Sequence, residues 1–203
     1  MITLDKEKGK NYVTFLFLFM CFYLLLFIAI AYQKKNVEFL YYSFIIFFIL
    51  ILGYKWSNKI FFPIPIYVGF ALLGLMHLAG GNLIINGVVL YEHHFGILEY
   101  DNIVHPFGTF VATLALYNLF KHYLKEKIHE TNLPLYAMLF LMAMGIGALV
   151  EITEFFAFET FKDVLVGDYV NNALDLVFNA IGSLIACGVI YFDLKKRKKE
   201  RNN

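Results

Sequence analysis

The stretch GDYVNNALDLVFNAIGSLIAC, from Gly167 to Cys187, decides how the rest of the chain is read. At about 100° per residue, Asp168, Asn171, Asn172, Asp175, Asn179, Gly182 and Ala186 fall on one helix face. Val170, Leu174, Leu176, Val177, Ile181 and Leu184 cover its sides and back. An apolar back with a carboxylate- and amide-bearing front predicts a membrane helix whose polar face looks into protein. Ionisable groups at membrane depth are costly, and their first reading is a functional site.

The composition agrees with a membrane setting. The chain is 60% hydrophobic and 19% aromatic, only 16% of it is charged, and its mean hydropathy is +0.65. These values exclude an ordinary soluble domain and imply a polytopic membrane protein. A net charge of +1, with the basic residues dispersed or confined to a tail, leaves no footprint for nucleic acid. Cys21 and Cys187 both fall in apolar runs, which argues against a disulfide framework.

Working outward, the apolar runs predict six spans at about 12–32, 39–54, 60–80, 101–123, 133–158 and 171–193, each long enough for a hydrocarbon core of about 30 Å. The expected fold is all-α, one integral membrane domain over 1–203 with a basic tail at 195–203. The first run is read as a retained anchor despite the small residues Ala29 and Ala31. Pro63 and Pro65 stand at the start of the third span. The segment 82–100, broken by Gly87, His93, His94 and Gly96, reads as an interfacial or partly re-entrant loop. With six spans, 14 of the 17 Lys and Arg residues fall on the side of the termini, and only Lys34, Lys35 and Lys162 on the other. The positive-inside rule then places both termini in the cytoplasm and the protein in the cytoplasmic (inner) membrane. The tail would also contact anionic lipid.

That orientation gathers the polar groups at one depth beneath the outer surface. His77 lies in the third span, Asp101 and His105 open the fourth, Glu151 and Glu154 sit in the fifth, and Asp168 to Asn179 lead into the sixth. Each group shares its face with small residues: Gly74, Gly80 and Gly81 near His77; Gly108, Ala112 and Ala115 near His105; Gly147 and Ala148 near Glu151; Gly182 and Ala186 near Asp175. Small residues let membrane helices approach. Spans three to six are therefore expected to form a polar-centred four-helix core, with spans one and two as a peripheral hairpin. Asp101-x3-His105, Glu151-x2-Glu154 and Asp175-x3-Asn179 each put two side chains on one helix face. Clustered carboxylates out of water must protonate, pair or bind a cation. Taken singly, Asp101 fits a helix cap, and His77 and Asn179 fit interhelical hydrogen bonding.

The residues His77-Leu-Ala-Gly-Gly81, Tyr100-Asp-Asn-Ile-Val-His105, Glu151-Ile-Thr-Glu154, Gly167-Asp168 and Asp175-x3-Asn179-x2-Gly182 resemble the YjdF-like family of predicted inner-membrane proteins. The same order is more distantly similar to VanZ-like proteins, which are linked to glycopeptide-antibiotic tolerance and so to the cell envelope. Asn102 and Glu154 depart from the residues usual there, a basic one and, in VanZ-like proteins, Gln. The resemblance implies a topology and a site rather than a settled activity.

The leading expectation is a cation-dependent membrane enzyme, a hydrolase or transferase, acting on a lipid or envelope intermediate from the outer leaflet. His105, Glu151 and Asp175 would hold a divalent metal, Zn²⁺ or Mn²⁺ in preference to Mg²⁺ because imidazole is a ligand. Glu154 would be the general base and His77 would orient substrate, with Asp101, Asp168, Asn171 and Asn179 in support. An ion- or proton-coupled transporter and a non-catalytic membrane assembly protein are the alternatives. The absence of a clear repeat ranks the transporter second.

Overall fold

A computed structural model describes residues 6–57, 59–60, 62–124, 133–162 and 164–202. Lys125 and Lys127, counted above for orientation, lie outside these residues. Six helices follow the apolar runs: α1 (Lys6–Gln33), α2 (Val37–Ser57), α3 (Ile64–Asn82), α4 (Asp101–Leu124), α5 (Leu133–Thr160) and α6 (Tyr169–Asn202). All six are long and apolar enough to cross a membrane, so the chain is an all-α polytopic membrane protein.

Helix ends depart from the hydropathy reading for local reasons. α3 begins at Ile64 rather than near residue 60, because Pro63 is extended (φ −53°, ψ 140°) and Pro65 fits the first helical turn. α6 runs on past the apolar stretch to Asn202, since Lys and Arg are good helix formers. In that extension Arg197 pairs with Asp193 at 2.8 Å, one turn apart. Between α1 and α2, Lys35 takes the left-handed conformation (φ 55°) while Asn36 N returns to Ala31 O. Asn36 then caps α2, its Oδ1 accepting from Phe39 N at 3.1 Å.

The segment expected as an interfacial or partly re-entrant loop folds as two tight β-hairpins. β1 (Ile84–Ile85) pairs antiparallel with β2 (Val88–Val89), and β3 (His94–Phe95) with β4 (Leu98–Glu99). Asn86 and Gly87 both have positive φ, 52° and 84°, as a type I′ turn requires. In the second loop Gly96 alone does, at 72°, which fits type II′.

The chain forms two compact units, 1–101 with 156–166, and 102–155 with 167–203. In the first, α3 packs on α1 and α2. A side chain at Gly74 would strike the Tyr23 hydroxyl, and one at Gly81 the ring of Phe39. Leu24, Phe27, Ala31, Phe39 and Leu78 are at the centre of its apolar core. α3's small face receives aromatic side chains of α1 and α2 within this unit. α2 also buries polar residues, Glu38 and Ser43.

The second unit is polarised along its helices. Leu116, Leu139, Ala143, Cys187, Ile190 and Leu194 pack together toward the C-terminal ends of α4 and α6 and the N-terminal end of α5. His105, Glu151, Glu154 and Asp175 lie at the opposite end.

Candidate functional site

Three helices of the second unit meet around His105. The approach of α6 to α4 depends on Gly182, where any β-carbon would collide with the backbone of Pro106 and with the Thr109 hydroxyl. One turn further in, the Thr113 and Ser183 hydroxyls lie 3.1 Å apart, both fully buried. The approach to α5 depends on Gly147, whose missing side chain leaves room for the amide of Asn179. Small residues thus bring polar ones together, as the face pattern predicts.

At the centre, His105 Nδ1 lies 3.6 Å from Glu151 Oε1, and His105 Nε2 lies 3.9 Å from Asp175 Oδ1. The Asp175 side chain is wholly buried, and those of His105 and Glu151 are 8% and 13% exposed. Asn171 Nδ2 donates to Asp175 Oδ2 at 2.8 Å and fixes that carboxylate's rotation. Asp168 caps α6, its Oδ1 accepting from Val170 N and Asn171 N at 2.9 and 3.0 Å. Its place is structural: it sets the first turn of the helix that carries Asp175. Asn179, one turn beyond Asp175, is 2% exposed. Glu154 stands one turn beyond Glu151 on α5, half-buried.

These distances decide what the ring can do. Both carboxylates are beyond ordinary hydrogen-bond length, and they face opposite nitrogens. An ion with bonds of about 2.1 Å spans up to about 4.2 Å between ligands, so Nε2 and Asp175 could share one. The group able to hold a metal comprises Asp101, His105 and Asp175. His105 has a ligand atom within 4.8 Å of one on Asp101, a turn earlier on α4, and within the same distance of one on Asp175. Glu151, facing Nδ1, stands outside that group.

His77 belongs to the first unit. Its Nδ1 is 2.6 Å from the Tyr91 hydroxyl, and its ring is packed by Phe39, Tyr42 and Tyr91. Sequence reasoning missed Glu38, which is 4% exposed and whose Oε2 accepts from Leu165 N at 2.7 Å. A Glu just after Lys34-Lys35-Asn36 reads as a loop charge, and only the buried helix start reveals otherwise. Asn82, 1% exposed at the end of α3, was likewise passed over.

No curated protein and no solved structure matches the chain, and nothing found bears on the likeness to VanZ-like proteins. The model of a family described as a predicted membrane protein (DUF2238) matches residues 14–196, nearly the whole chain, so this protein belongs to that family, the one that the YjdF-like resemblance names.

Proposed function

We propose that this protein is a cytoplasmic-membrane enzyme in which His105 and Asp175 hold a divalent cation for hydrolysis or group transfer on a lipid or envelope intermediate. The observation that carries the reading is the opposed pair of carboxylates, Glu151 on Nδ1 and Asp175 on Nε2 of one buried imidazole. A metal-bound histidine commonly gives its other N–H to a carboxylate, which fixes the ring and raises its basicity. Glu151 suits that orienting role better than the ligand role its sequence position suggests. Asp101, one turn before His105, supplies a further oxygen. The imidazole favours Zn²⁺ or Mn²⁺ over Mg²⁺.

The ion would lower the pKa of a bound water and polarise a phosphoryl or acyl oxygen. Glu154, one turn from Glu151 on the same helix face, is the proposed general base. Both termini are proposed to be cytoplasmic, which sets the start of α4, and the site with it, near the outer headgroups.

Reconstitution in vesicles of mixed phospholipids and polyprenyl phosphates, with Zn²⁺ or Mn²⁺ and mass-spectrometric detection of products, tests this. A metal-dependent product should form and should be lost in Glu154→Gln, which retains the metal. If the metal-loaded protein turns over none of these lipids, the enzyme reading fails and a cation carrier becomes the better account.

A further inference from the structure

A cavity of about 330 Å³ opens within the first unit, where the α1–α2 turn, the end of α3 and the segment after α5 come together. It is independent of the His105 cluster. Lys34, Lys35 and Lys162 line it, the same three that stand apart from the other 14 basic residues on the lysine-poor side of the chain. Lysines placed against the orientation bias and gathered into one hollow ask for a reason other than topology. Among the described residues no carboxylate forms an ion pair with any of them. Lys34 Nζ donates to the backbone oxygen of Asn82. Lys35 and Lys162 are exposed. Glu38 is the one described acidic group in the lining, so the described lining carries a net positive charge.

Asn82, another of the lining residues, has a second requirement. Asn82 is 1% exposed, and its Nδ2 donates to Leu78 O at 2.9 Å, which fixes which end of the amide is oxygen. That oxygen, Oδ1, has no hydrogen-bond partner among the described residues. A buried acceptor left without a donor is costly. Asn36 is locked between elements by Nδ2 to Gly81 O at 3.0 Å, so the wall is fixed before any ligand arrives.

We infer that this cavity binds a phosphate-bearing headgroup that also carries a hydrogen-bond donor, as an ethanolamine phospholipid does. The three ammonium groups meet the phosphate, in the manner of basic pockets between membrane helices. The ligand's ammonium meets Asn82 Oδ1 and the Glu38 carboxylate. The position agrees: the lining lies where α1, α2, α3 and α5 end or begin, which is headgroup level for membrane spans. The volume is in the range of small-ligand sites. The same chemistry could be brought by a lipid or by a free phosphodiester.

Binding of short-chain phosphatidylethanolamine to the purified full chain in detergent should be at least about tenfold tighter than binding of its choline counterpart, whose quaternary nitrogen donates no hydrogen bond. The Lys35→Gln/Lys162→Gln variant alters only exposed side chains and should keep the parent's melting temperature. It should bind the ethanolamine lipid at least about tenfold more weakly. Glycerophosphoethanolamine, which lacks the acyl chains, separates the sources: weaker binding than the lipid assigns the cavity to membrane lipid, and equal binding assigns it to a free phosphodiester. Equal affinity for the ethanolamine and choline lipids, or a double variant that binds as the parent does, would overturn the inference.

Discussion

Gly182 bears more on the site than any single charged residue except His105. A β-carbon there would overlap the Pro106 backbone, which cannot yield as a flexible side chain would. Gly182→Ala should therefore force α6 from α4, where overpacking typically costs roughly 1–3 kcal/mol. The expected result is a lower melting temperature and loss of metal binding together. Gly188→Ala, facing open space, should change neither. Part of this was legible beforehand, because Asp175, Asn179, Gly182 and Ala186 recur at helical spacing and small residues mark a close approach. What could not be read was the division of labour among the charges. Asp168 turns out to hold backbone N–H groups, and Glu151 and Asp175 face different nitrogens of one ring. Spacing puts residues on a face but does not say which atom meets which.

At the level of elements, long apolar runs specify helices almost unaided, since a backbone in lipid must satisfy its own hydrogen bonds. All six helices were legible for that reason. Their partners were not: the glycines of α3 were read as facing other polar helices, whereas Gly74 and Gly81 receive Tyr23 and Phe39. A small face says that something comes close and leaves the identity of the neighbour open. The two hairpins were missed although their signals are present. Asn86-Gly87 between Ile-Ile and Val-Val is a strong two-residue turn signal, and Gly96 opens a second. Treating glycine only as a break in an apolar run hid both. These hairpins bring Tyr91 to His77 and Tyr100 to the end of α3, where its hydroxyl donates to Met76 O at 3.2 Å.

For the whole molecule, orientation rests on the basic residues. The cavity of the first unit brings together the α1–α2 connection and the segment after α5, as an even number of crossings between them requires. With 14 of 17 Lys and Arg residues on the side of the termini, a reporter that fluoresces only in the cytoplasm should be bright when fused after Asn203. It should be dark when inserted at the Gly96-Ile97 turn, and the reverse pattern would reject the orientation. Elemental analysis after incubation with Zn²⁺ or Mn²⁺ measures whether His105 and Asp175 hold the proposed cation in the intact protein. Near one metal per chain is expected for the parent, with loss in His105→Ala and in Asp175→Asn and only a partial decrease, of about 10–100-fold in affinity, in Glu151→Gln. A parent protein that stays metal-free with every ion tried, while its melting temperature shows it folded, would contradict the account.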